Sequence, residues 1–139
     1  MSISPEVSKK NEFWIPQHRY CELKHFCLQY RFWKTHLQLQ ASDTLQSASV
    51  IYSVNHKTGY VNTVEAFAIS RDILLRKVEM VKRAAKQADP SIAEYILKGV
   101  TLCRSYDELN VQYSLPCGRE YYYKVYRKFF YILDTLRDL

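Results

Sequence analysis

Residues Ser105–Leu139 read SYDELNVQYSLPCGREYYYKVYRKFFYILDTLRDL. Ser105 with Glu108 three residues on is a capping box, because the serine oxygen and the glutamate carboxylate can each take one of the orphan N–H groups at a helix start. It predicts a helix from Tyr106 to about Tyr113 that buries Leu109 and Tyr113. Ser114-Leu115-Pro116-Cys117-Gly118 then breaks the pattern. From Arg119 to Leu139 there is neither Gly nor Pro, so a long helix follows. At about 100° per residue, Tyr122, Val125, Phe129, Ile132 and Leu136 make one apolar stripe flanked by Tyr126 and Leu133. That stripe is expected to face inward. The opposite side carries Arg119, Tyr123, Lys124, Arg127, Lys128 and Tyr131, interrupted only by Glu120.

Upstream, Asp89-Pro90 restarts the chain, with a good cap followed by a residue suited to the first helical position. A short helix over Ser91–Lys98 would bury Ile92, Tyr95, Ile96 and Leu97, with Gly99 as its left-handed cap. Residues 89–139 thus follow the order of a helix-turn-helix unit. Before them, Asn62 with Glu65 caps a second long helix. Its seam is Val64, Phe67, Leu74, Val78, Val81, Ala85 and Ala88. Leu23, Phe26, Tyr30, Trp33 and Leu37, widened by Tyr20 and Cys27, predict a first long helix from near Pro16 to Leu39. The expected architecture is all-α. Residues 1–15 are a flexible arm, and residues 16–88 are a long antiparallel helical hairpin. Its loop over 40–61 holds a short extended piece at Val50–Val54. Core packing explains these seams better than any cofactor role.

The 139 residues suit one domain. With 47% hydrophobic and 24% charged residues the chain is neither disordered nor fibrous. Three glycines and four prolines are too few for a many-stranded sandwich or barrel. The net charge of +6 favours a polyanion partner, and 13 of the 20 basic residues lie after residue 70. No signal segment and no membrane-length apolar run is visible, so a cytoplasmic protein without membrane attachment is expected. The four cysteines form no Cys-x-x-Cys pair and read as free thiols. His18, Cys21, His25 and Cys27 cluster early, but without the spacing of a zinc site, so no metal is expected. Cys117 beside Arg119 at a helix start is open to a lowered pKa, or simply to packing the turn. No phosphate-cradling glycine loop, nucleophile elbow or metalloprotease motif occurs, which points away from an enzyme and from any cofactor.

The cationic, tyrosine-rich side of the last helix fits duplex DNA. Guanidinium groups fork onto phosphate or guanine, ammonium groups release counterions, and tyrosine hydroxyls bond phosphate oxygens. Because the start of such a helix enters the groove, Arg119 and Tyr123 are the expected base readers. Lys124, Arg127 and Lys128 are the expected backbone contacts. A solvated amphipathic face is the bland alternative.

Ser105-Tyr106-Asp107-Glu108-Leu109, Leu115-Pro116-Cys117-Gly118-Arg119 and Tyr126-Arg127-Lys128 together resemble region 4 of sigma-70 type factors. They also resemble the phage and mobile-element transcriptional regulators of Gram-positive bacteria of the ArpU and RinA kind. The resemblance covers about residues 89–136. It implies that Arg119, Tyr123, Lys124 and Arg127 belong to a recognition helix. Such units usually carry a small residue where Asn110 stands and Gly where Ser114 stands, and this chain departs at both.

The resulting expectation is a DNA-binding transcriptional regulator whose N-terminal helices form a homodimer or meet RNA polymerase or another host protein. The alternative is a small phage-encoded protein that binds and inhibits a host protein or nucleoprotein complex, as anti-CRISPR proteins do.

Overall fold

A computed structural model of the chain describes residues 11–42 and 63–138, with side chains over 11–39 and 70–138. The described residues form α-helices, with no strand among them. They are α1 (Gln17–Leu28), α2 (Tyr30–Ser42), α3 (Thr63–Ala88), α4 (Ala93–Leu102), α5 (Tyr106–Tyr113) and α6 (Arg119–Arg137). The fold is all-α, and no described helix is long and apolar enough to cross a membrane. Of the expected loop over 40–61, residues 40–42 belong to α2; the remainder, the extended piece at Val50–Val54, the Asn62–Glu65 box and the side chains of Val64 and Phe67 lie outside the described residues.

The chain divides differently from the expected boundary at residue 89. One compact unit holds the described residues up to Tyr30 together with those from Glu79 onward, and the other holds those within 31–78. In the first unit α1 packs on α4 and α6, while α4, α5 and α6 contact one another pairwise. Its core contains Leu23, Cys27, Val81, Ile92, Ile96, Leu109, Tyr122, Phe129, Phe130 and Leu133, each almost wholly buried. Burial of each large apolar side chain stabilises by about 1.5–3 kcal/mol. In the second unit Trp33 and Val78 are buried, and the Lys77 ammonium stands 5.5 Å from the Trp33 ring centroid.

Four expectations need correction. The single helix over Pro16–Leu39 is interrupted at Gln29, whose N–H donates to the Phe26 carbonyl, three residues back, at 3.2 Å. That shift from an i−4 to an i−3 bond tightens the turn and separates α1 from α2. Gly99 does not end α4: the helix continues to Leu102, and Cys103 takes the left-handed cap at φ 55°. The described end of the arm is folded rather than loose. Phe13 N–H donates to Asn11 Oδ1 at 2.8 Å, Ile15 is buried, and the Phe13 ring meets the edge of Tyr131 at 5.7 Å.

The inward stripe of α6 is also turned from the expected one. Tyr122, Val125, Phe129, Phe130 and Leu133 are buried, whereas Ile132 and Leu136 are half-buried. The cause is α1, whose Tyr20 ring packs edge-on to Phe130 at 5.1 Å. The same two helices are clasped by charge. The Arg19 guanidinium donates to Asp134, to Asp138 at 2.7 Å and to Glu22 at 3.1 Å, and Arg137 donates to Glu22 at 2.7 Å while lying 4.3 Å above the Phe26 ring centroid.

Candidate nucleic-acid interface

The candidate interface is built from α5, the turn after it and α6. At the start of α5 the capping box forms as its residues require: Ser105 Oγ accepts from Glu108 N–H, and Glu108 Oε1 accepts from Ser105 N–H, both at 3.2 Å. At its end Ser114 takes φ 54°, the left-handed conformation that glycine adopts without steric cost. Asn110 closes this turn, its carbonyl accepting from Ser114 N–H at 2.9 Å and its Oδ1 from Leu115 N–H at 3.0 Å. The two residues that depart from the usual helix-turn-helix pattern are thus the two that shape the break.

Tyrosine hydroxyls then fix α6 against α5. Tyr106 donates its hydroxyl to the Cys117 carbonyl at 2.7 Å, and Tyr106 N–H donates to the Tyr123 hydroxyl at 3.1 Å. The Tyr123 ring lies edge-on to Tyr122 at 5.1 Å and to Tyr126 at 5.6 Å. Burial pushes the Tyr122 hydroxyl well above the usual tyrosine range, and burial followed by the neighbouring Tyr20 does the same to Tyr126. These aromatic groups are structural and stay neutral.

The structure does not place the five expected contact residues alike. Arg119 is exposed, but its Nη1 lies 3.6 Å from Asp107 Oδ2. Tyr123 is half-buried and turned toward α5, so it does not share the outward face as expected. Lys124 is exposed, and Arg127 and Lys128 are half-buried. No described carboxylate comes within 4.0 Å of the charged groups of these three. Arg127 Nε is buried without a hydrogen-bond partner among the described residues. Tyr131 follows them on the same side, exposed apart from its contact with Phe13.

A junction between the start of α4 and the start of α6 was not foreseen from the residue pattern. Asp89 Oδ1 accepts from Ser91 N–H at 2.9 Å and from Ser91 Oγ at 2.7 Å, and Asp89 Oδ2 accepts from the Tyr121 hydroxyl. The Tyr121 bond, then those from Ser91, hold the Asp89 carboxyl below the usual carboxylate range, and Lys128 adds to this. A lowered folded pKa contributes stability above about pH 4 that is lost as pH falls through the lowered value. Asp89→Asn should therefore cost more stability at pH 7 than at about pH 2.5, measured by urea unfolding at both values. An equal cost at the two pH values would contradict this linkage.

Cys117 does not have the lowered pKa that its place beside Arg119 allowed: burial, with the nearby Asp89 charge, pushes its thiol up. His18, Cys21 and His25 are exposed and Cys27 is buried. Among the described residues no three His, Cys, Asp or Glu side chains come together in a way that would hold a metal ion. Comparison with known protein families, curated proteins and solved structures gives no match.

Proposed function

We propose that this protein binds duplex DNA through the outward face of α6, with α4, α5 and α6 acting as a helix-turn-helix unit, and that it is a transcriptional regulator of the phage and mobile-element type. One observation carries the reading. Lys124, Arg127 and Lys128 lie within five residues on the outer side of a helix whose inner side is anchored in the core, and no described carboxylate comes within 4.0 Å of their charged groups, Asp89 acting on Lys128 only from further away. Such a row releases counterions when it meets phosphate. The capped α5 and the closed turn support the assignment by fixing where α6 stands. In this reading α2 and the first part of α3 form an antiparallel pair that dimerises the chain or meets RNA polymerase; the exposed Phe32, Leu39, Ile73 and Leu75 suit such a contact.

Gel retardation of a short duplex tests the proposal. Three phosphate contacts give a log–log salt slope near −2.7, or about 40-fold weaker binding at 200 mM than at 50 mM salt. Lys124→Ala with Lys128→Ala should lower the magnitude of the slope by about 2 and leave the helical circular dichroism unchanged. A wild-type chain that retards no duplex at 50 mM salt would defeat the DNA reading. The exposed Trp14, Tyr121, Tyr131 and Val111 would then favour the second reading, an inhibitor that docks on a host protein.

A further inference from the structure

We infer that the protein holds duplex DNA by its phosphate backbone and reads little base sequence, an inference that rests on the DNA-binding reading above. The first turn of a recognition helix is the part that reaches base edges. In α6 the donors of that turn are already engaged within the fold. Arg119 faces Asp107 at 3.6 Å, Tyr121 donates to Asp89, Tyr122 is buried, and Tyr123 holds the N–H of Tyr106. Freeing them for a base would give up the Asp107 ion pair, the Tyr121–Asp89 bond or the bond that holds the start of α5. The side chain of that turn left over is Glu120, which is exposed and negative. A carboxylate repels phosphate and is able to accept only from an exocyclic amine.

The cations with no described carboxylate within 4.0 Å stand further along the helix. Lys124 and Lys128 are one turn apart, about 6 Å along the axis, and Arg127 lies between them with its Nε turned inside. Ammonium groups act as point charges without the planar fork that distinguishes one base edge from another. Contacts of this kind set affinity and register but carry no sequence information. The start of α5 adds no free N–H groups for phosphate at Glu108 or Tyr106, since Ser105 and Tyr123 have taken them. Any strong preference for one operator would therefore be supplied by a partner bound alongside.

The test uses the full chain and two short duplexes at the same salt concentration. One is selected by the protein from a random pool, and the other is a shuffled duplex of equal composition. The expected result is that the selected duplex binds less than about 100-fold more tightly than the shuffled one, whereas operator-specific proteins show 10³-fold or more. Lys124→Ala with Lys128→Ala should weaken both alike and lower both salt slopes by about 2. A preference above about 100-fold, or one that Arg119→Ala or Glu120→Ala abolishes, overturns the inference while leaving DNA binding in place. Binding of neither duplex overturns the DNA reading itself, and this inference with it.

Discussion

Gly99→Ala is expected to destabilise the protein by about 2 kcal/mol, and adding Tyr122→Phe should more than restore the loss. A Cβ on residue 99 would lie 2.2 Å from the Tyr122 hydroxyl oxygen, far inside contact distance. The next atoms it would meet are Leu109 Cδ1 at 3.3 Å, which must give by a few tenths of an ångström, and the Arg104 carbonyl at 3.4 Å, so the hydroxyl is the main obstacle. Tyr122 cannot readily swing aside, because it is fully buried with the rings of Tyr106, Tyr123 and Tyr126 around it. Overpacking of this kind costs about 3 kcal/mol at the upper end, less about 1 kcal/mol that alanine returns inside a helix.

The hydroxyl itself is buried without a hydrogen-bond partner among the described residues. Tyr122→Phe alone should therefore be neutral or stabilise by about 1 kcal/mol. In the double variant the new methyl occupies the space the hydroxyl left, and the chain should be more stable than wild type by about 1–2 kcal/mol. Urea unfolding of the four proteins gives the coupling directly. Additive effects of the two substitutions would show that the hydroxyl does not stand over Gly99.

Phe130→Ala should cost about 3–5 kcal/mol, a large part of the 5–15 kcal/mol typical of a small domain. Phe130 is buried between helices, with its ring 5.1 Å from Tyr20 of α1, 5.0 Å from Tyr126 and 5.0 Å from Phe129. Truncation leaves a cavity that three aromatic neighbours cannot close without breaking their own edge-to-face contacts. Because α1 and α6 share this cluster, the amide protons of α1 should lose protection from hydrogen exchange together with those of α6. Val111→Ala, on the exposed side of α5, should stay within about 0.5 kcal/mol of wild type. If α1 kept its protection in Phe130→Ala while α6 lost its own, the two helices would not belong to one cooperative unit.

The expected arrangement joined α1 to α2 and α3 and left residues 89–139 to fold apart. It failed because amphipathic stripes show that a helix is buried but not against what. Leu23, Phe26, Tyr30 and Trp33 form the stripe the spacing implies, and all four are buried. Nothing in that spacing shows that its first half packs on α4 and α6. Phe130 escaped notice for the same reason: viewed on α6 alone it flanks the stripe, and only Tyr20 brings it inside. Gly99 suggested a helix end because glycine is common there, yet it sits within α4, where the Tyr122 hydroxyl leaves no room for a side chain.

At the candidate interface, the side of α6 that carries Lys124, Arg127 and Lys128 was legible because a place opposite an apolar stripe follows from helical geometry, whereas the half-burial of Arg127 and Lys128 was not. The engagement of Arg119 and Tyr123 was not, since their partners Asp107 and Tyr106 belong to another helix.

Local chemistry was therefore within reach of the sequence. It fixed the helical character of the chain, the box of Ser105 and Glu108, the break after Tyr113 and the cationic side of α6, all of which depend on residues only a few positions apart. Which helices share a core, which tyrosine hydroxyls find partners and which charges are left uncompensated depend on residues far apart in the chain, such as Arg19 and Asp134 or Gly99 and Tyr122. Those relations exist only once the helices have packed, because no periodicity within one helix specifies its neighbour.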